Sequence, residues 1–332
     1  MPSLFACYIV FGNLKATDPL DHIYALLGLS DVKSLGIMVD YTANPQELLR
    51  NVVRAHIRRY HNLDFLELAS ICALDAEREW ATSWTPNIYR PLRVFPLAQS
   101  VEVEDGSGRA SPTYAAGLND QEELSWACIE DLSDRKKLVL PGILLDTVQE
   151  VTSTSSAVRL SFEDTRKMFQ KTLPSNATTT DSRGQILFDA YWRTLMFDAT
   201  ALQRIQDQEV ERFRNAFQGI LDGNLELPPV QDSQAFWSSM QQILVCFAAG
   251  TIPCSFGYTQ KAFMARFPQG TNEGDTIAVL YGGRTPFILR PILGNDDEYL
   301  LVGPAYVHGF MDGEAFKFHD AGLLEARGFI LV

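Results

Sequence analysis

Cys254 lies in Pro253-Cys254-Ser255-Phe256-Gly257, the nearest approach in the chain to a nucleophile elbow, with proline where that motif needs its first glycine. A thiolate there, with a histidine as its base, would make a thiol hydrolase, and His308 is the histidine nominated for that role. The simpler reading is a structural cysteine at the start of a strand. Metal chemistry finds less support. His56 and His61 are five residues apart, which keeps them off one helical face, and HExxH is absent. Asp296, Asp297 and Glu298 lack EF-hand spacing and read as a solvated turn. Gly106-Ser107-Gly108 opens like a dinucleotide fingerprint, but Ser111-Pro112 follows where a glycine and a helix are required, and no Walker A sequence occurs. Nothing in the carboxylate spacing pairs two of them for acid–base work. The expectation is therefore no metal, no cofactor and a lean away from an enzyme.

Charged side chains do gather near the end of the chain, where Asp275, Arg284, Arg290, Asp312 and Glu314 fall within one β-rich segment. Read without further context they are turn chemistry and surface ion pairs, worth about 0–1 kcal/mol each.

The elements that would position these groups fall into three regions. Asp18, Pro19 and Asp21 open a helix that Gly28 stops, and Asn44-Pro45-Gln46-Glu47 opens a second in the manner of a capping box. In that second helix Leu48, Leu49, Val52, Val53 and Ile57 form an apolar stripe, with Arg50, Arg54 and Arg58 on the opposite face. A short helix over Leu63–Cys72 and the aromatic turn Ser83-Trp84-Thr85-Pro86-Asn87 complete this part. Residues from about 90 to 180 are turn-rich, with one strand expected over Leu138–Val148. Helices resume around Ile186–Met196, Ile205–Ile220 and Ala235–Phe247. From residue 251 the pattern becomes short strands: Ile277–Tyr281, Phe287–Arg290 and Tyr299–Val307, with turns at Gly282-Gly283 and Gly294–Glu298. Asp312-Gly313 reads as a type I′ hairpin turn leading into a strand over Ala315–Phe318. The expected architecture is α+β: a mainly helical region over 1–250 with a strand- and loop-rich insertion at about 90–180, then a small antiparallel, barrel-like β domain over 251–332.

Composition bounds the function. Twenty-eight Lys and Arg against 41 Asp and Glu leave a net charge of −13, so neither the phosphate backbone of nucleic acid nor an anionic membrane surface is an expected partner. Hydrophobic residues at 46% of 332 suffice for a packed core, which excludes global disorder. The five cysteines include no CxxC pair and read as buried small hydrophobes in a reducing compartment. Leu4–Phe11 has no basic residue before it and is too short to span a membrane, so the Asn176-Ala177-Thr178 sequon is read as coincidence and the cytosol as the expected location.

Two stretches say more than periodicity can. ATDPLDHIYALLGL at Ala16–Leu29, with VDYTANPQELLRNVV at Val39–Val53 and SWTPN downstream, resembles the segment just after the signature domain of fungal heterokaryon-incompatibility (HET) domain proteins. GDTIAVLYGGRTPFILRP followed by YLLVGPAYVHGFMDGEAF, at Gly274–Pro291 and Tyr299–Phe316, resembles the tail of that family, and YWRTLMFD at Tyr191–Asp198 fits its middle. The signature blocks themselves, Ser-x-x-Trp-Gly and Cys-Ile-Asn-Gln, do not occur, so the chain is expected to be a truncated paralogue or a shortened gene model. The resemblance implies a part in non-self recognition through contacts with other proteins. The tail-motif residues it singles out are Gly283, Arg284, Pro286, Arg290, Tyr306, His308, Asp312 and Glu314. The glycine and proline are expected to fix turns, and the polar members to hold the β domain together or to face a partner.

Overall fold

Asn44 does cap a helix: its Oδ1 accepts from the Gln46 and Glu47 amides at 2.9 and 3.3 Å, and Pro45 takes the first helical position, where no N–H is needed. The Glu47 carboxylate does not close a capping box; it faces Arg135 at 3.4 Å. The computed structural model describes residues 3–12, 14–30, 35–69, 82–87, 114–117, 134–152, 162–176, 178–179, 185–200, 203–223 and 254–332. The expected helix Ala235–Phe247, the loop carrying Gly106–Gly108, and Cys72, Cys128 and Cys246 lie outside these residues.

The N-terminal layer holds α1 (Leu4–Phe11), α2 (Asp21–Leu27), α3 (Pro45–Tyr60) and a 3₁₀ turn, Asp64–Leu68. The second helix starts later than its sequence signals suggest, because Asp18 Oδ1 accepts from the Leu20 amide and forms a separate turn ahead of it. In place of the helix expected over Leu63–Cys72 there is the tighter 3₁₀ form, and all five of its side chains are buried. One face of α3 buries Leu48, Leu49, Val52, Val53, His56 and Ile57, so His56 belongs to the apolar stripe. His61 ends that helix in the left-handed region at φ 53°.

β1 (Leu138–Thr152) follows, then α4 (Phe162–Thr172), α5 (Leu187–Leu195), the paired strands β2 (Ala199–Thr200) and β3 (Gln203–Arg204), and α6 (Val210–Asp222). The C-terminal part supplies β4 (Cys254–Thr259), β5 (Met264–Pro268), β6 (Thr276–Leu280), β7 (Phe287–Ile292), β8 (Asn295–Pro304), β9 (Tyr306–Val307), α7 (Glu314–Asp320) and β10 (Glu325–Leu331). Two expectations change here. The run Ala315–Phe318 is helical, because Gly313 at φ 81° serves as the N-cap of α7 in place of a hairpin turn. Four side chains are too few to separate a strand period from one helical turn. Likewise the turn before β8 is Leu293-Gly294, with Ile292 paired to Asn295, so Asn295–Glu298 are strand residues. The Glu298 carboxylate takes Lys137 Nζ at 2.5 Å and Asn295 Nδ2 at 3.0 Å, and no metal-competent cluster occurs among the described residues.

Eight strands form one sheet in the order β10-β8-β7-β6-β1-β4-β5-β9, and β10 also pairs with β1. β1, β6, β7, β8 and β10 therefore close into a ring, antiparallel throughout except where β10 runs parallel to β8 at Ile330↔Glu298 and Leu331↔Tyr299. β1 is the hub, pairing with three other strands. Both faces of the sheet are buried. Leu138, Leu140, Ala278, Leu280, Phe287 and Leu289 pack into the core shared with the N-terminal helices, while Ile143, Leu145, Ile277, Val279 and Ile288 enter a second core closed by Phe310 and Ala315. This double burial explains why β6 reads as a continuous apolar run. A third core joins Phe256 and Met264 to the aromatic faces of α5 and α6, with Trp192 stacked near Phe213 and Phe217 at 6.1 and 5.9 Å. Among the described residues no helix is long and apolar enough to cross a membrane.

Candidate functional site

The polar residues of the tail motif bond within the fold and reach three different parts of the chain. Gly283 ends the turn after β6, and a Cβ there would stand 2.7 Å from the Phe287 ring, so only glycine lets the backbone come this close. The next residue, Arg284, donates Nε to Asp64 Oδ1 at 2.8 Å and Nη2 to Oδ2 at 3.1 Å. This planar fork joins the β6–β7 turn to the N-terminal 3₁₀ turn, 220 residues away in sequence. Beside it, Thr285 Oγ1 donates to Glu67 Oε1 at 3.4 Å, while Glu67 Oε2 is buried without a hydrogen-bond partner. Burial and the neighbouring Asp64 charge push the Glu67 carboxyl up to about 8, against the pull of Arg284. His56 completes the cluster: one ring nitrogen lies 2.7 Å from Asn62 Oδ1, the other is unpartnered, and burial holds its pKa below the ordinary value. Pro286 accepts the Ala305 amide at its carbonyl at 2.8 Å, tying the start of β7 to the corner after β8.

Arg290 makes a second fork, to Asp275, with two bonds of 2.9 Å. Its Nη2 also donates to Gly270 O at 2.5 Å, so the side chain clamps the loop between β5 and β6. The pair is internal to the β domain, and its carboxylate is almost fully buried.

The third group joins the β domain to the central helices. Tyr306 Oη and His308 Nδ1 share a 3.0 Å hydrogen bond, and His308 Nε2 lies 2.8 Å from Gln185 Oε1. Asp312 receives Arg204 Nη1 and Nη2 on its two oxygens, each at 3.0 Å, and Arg204 Nη2 also reaches Asp198 Oδ2 at 3.0 Å. Asp198 Oδ1 takes Arg193 Nη1 at 2.5 Å. Burial pushes the Asp198 carboxyl up, and the two guanidiniums oppose that shift. For Arg204, burial works against the charge, but Asp198 and Asp312 more than offset it and raise its pKa. Glu314 Oε2 accepts from the Asp312 amide at 2.7 Å and fixes the turn into α7. Tyr306 is fully buried edge-on to Tyr114 and Phe197, and burial next to Asp198 keeps its phenol well above its ordinary pKa.

Cys254 and His308 both border this aromatic cluster, since Cys254 packs with Tyr114, Tyr306 and Met311. Each ring nitrogen of His308 is engaged elsewhere, by Tyr306 and by Gln185. The thiol is buried, and that burial pushes it up to about 12 despite the Arg266 charge nearby. A thiol so protonated at neutral pH is a poor nucleophile.

Pairwise spacing had no means of finding Asp64, Glu67, Gln185 or Arg204. Only Arg193 and Asp198 lay in a stretch that the sequence marks, YWRTLMFD. The other partners carry no local signal, because the bonds that tie them to the tail motif span 108 to 220 positions.

Residues 233–324 match the family model described as the Het-6 beta-barrel domain. A stretch of 57 residues, 17% of this chain, is 39% identical to heterokaryon incompatibility protein 6, OR allele, of Neurospora crassa, and covers 8% of that relative's length. No solved structure matches. The C-terminal β domain is thus similar to the Het-6 beta-barrel domain, and a short stretch of the chain is similar to a fungal heterokaryon-incompatibility protein.

Proposed function

We propose that the protein takes part in heterokaryon incompatibility, and that it acts in non-self recognition by contacting another protein. The observation that carries the contact is the distribution of exposed apolar side chains. The tail-motif residues are spent on holding the layers together, whereas Val10, Leu14, Leu29, Met38, Val39 and Tyr41 stand more than half exposed on and between the N-terminal helices, and Phe11 is exposed to a lesser degree. Seven of the ten large apolar side chains exposed among the described residues fall within residues 10–41, and exposed apolar surface of this kind is what an interaction site presents. The segment carrying Met38 and Val39 is also fixed in place: Tyr24 Oη bonds both the amide and the carbonyl of Asp40, and the Tyr41 ring meets Tyr24 edge-on at 5.3 Å. A recognition surface thus sits on the helical layer, and the β domain serves as its platform.

Strain pairing tests this. The full chain is expressed in a filamentous fungus and confronted with a strain carrying a divergent sequence at the same locus, and heterokaryon formation and compartment viability are scored. The expected result is failure of the mixed compartment, lost in a Met38→Glu, Val39→Glu double variant whose urea midpoint equals that of wild type. Compatibility with the unaltered chain refutes the biological role. Incompatibility that survives the double variant refutes the surface.

A further inference from the structure

The chain leaves α5 through two consecutive non-glycine residues in the left-handed region, Phe197 at φ 57° and Asp198 at φ 52°. This backbone crowds Cβ against the following carbonyl, and it persists only where its surroundings over-determine it. Those surroundings come from separate parts of the chain. The Asp198 amide donates to Arg193 O at 2.7 Å, and the Ile205 amide returns to Asp198 O at 3.0 Å. Tyr114 Oη donates to Phe197 O. From β5, Arg266 stands 4.9 Å over the Phe197 ring and donates Nη1 to Leu195 O at 3.2 Å, satisfying a carbonyl at the end of α5. From β3, Arg204 bridges Asp198 to Asp312.

These holds are unequal. The Asp198 side chain is 7% exposed and Arg204 26%, but Asp312 is 49% exposed. Arg266 and Tyr306 also hold the corner to the β domain, and of all these contacts the Arg204–Asp312 pair is the one that water and salt compete for most effectively. We propose that the Phe197–Asp198 corner and the paired strands β2 and β3 form a strained latch, held shut on the β domain by Asp312, which opens as a local unit while the sheet stays folded. Opening relieves the left-handed pair, frees Arg204, and uncovers the Phe197 ring together with the edge of Tyr306 that it meets at 6.2 Å. The latch is a property of the fold and does not rest on the role proposed above.

Native-state hydrogen exchange on the full chain tests it, with the Asp198 and Ile205 amides as reporters of the corner and the β6 and β7 amides as the reference. In Asp312→Asn the reporters exchange about tenfold faster while the reference amides keep their wild-type rates. If that variant does not accumulate, wild-type protein moved from low salt to 1 M NaCl gives the same reading, with several-fold acceleration at the reporters alone. Reporters that do not respond, or acceleration shared equally by β6 and β7, overturn the latch.

Discussion

Replacing Glu67 with glutamine removes one titration from the fold and leaves its shape nearly unchanged. The glutamate is buried in the 3₁₀ turn with one oxygen unpartnered, and its carboxyl is pushed from its ordinary 4.5 up to about 8. The direction of the pH effect follows from which state holds the proton. Below 4.5 both folded and unfolded chains carry it, and Glu67 contributes no pH dependence. Between 4.5 and about 8 the unfolded chain releases the proton and the folded chain keeps it, so stability falls as pH rises. At about 1.4 kcal/mol per pH unit, the interval from 4.5 to 7 amounts to about 3 kcal/mol lost by wild type and spared in Glu67→Gln. Urea unfolding at pH 4.5 and pH 7 measures this as a double difference, in which His56 and every other titrating group cancels. The expected outcome is that Glu67→Gln gains about 3 kcal/mol relative to wild type on going from the lower to the higher pH. A gain below about 1 kcal/mol means that the carboxyl ionises in the fold at neutral pH and that the buried, desolvated state inferred for it is wrong.

Other residues make sharp predictions of their own. Gly257 faces β1 so closely that a Cβ would stand 1.9 Å from the Glu150 carbonyl, so Gly257→Ala is expected to cost more than about 3 kcal/mol in thermal or urea unfolding. Ala262 occupies the left-handed region at φ 63° in the exposed β4–β5 turn, and Ala262→Gly is expected to be neutral or stabilising by up to about 1 kcal/mol, the opposite of the usual effect of a new glycine. For Cys254, a thiol pushed from 9.0 to about 12 has roughly a thousandth of the ordinary thiolate fraction, so peptide-resolved alkylation at pH 8 should leave it unmodified until urea unfolds the chain. Rapid labelling of Cys254 in the folded protein would support the nucleophile reading.

Several elements are legible in the residues alone. The cap at Asn44-Pro45 is local chemistry, carried by a side-chain oxygen two and three residues from the amides it serves. The stripe on α3, the β1 strand and the Gly282-Gly283 turn are periodic or conformational signals of the same short range. Short-range signals also mislead. Asp312-Gly313 is a favoured hairpin dipeptide, yet its aspartate pairs with Arg204 and its glycine starts a helix. Asn295–Glu298 is polar enough for a turn, but Lys137 supplies a partner that lets Glu298 sit in a strand.

Residue chemistry along the chain is enough to say which positions matter in the tail and that they are turn-formers and ion-pair formers, because glycine, proline, arginine and aspartate carry those properties wherever they stand. The α+β class is legible in the same way, through the switch from helical to strand periodicity. What those residues hold is a matter of how the layers pack. Arg284 meets Asp64, Arg290 meets Asp275, and Asp312 meets Arg204, across 220, 15 and 108 positions. The two long-range pairs exist because β1 joins the C-terminal strands in one sheet, with the N-terminal helices packed on one face of it and α5 and α6 packed against β4 and β5. Side-chain chemistry fixes the kind of bond a residue can make, and the folded arrangement of the layers brings its partner within hydrogen-bonding distance.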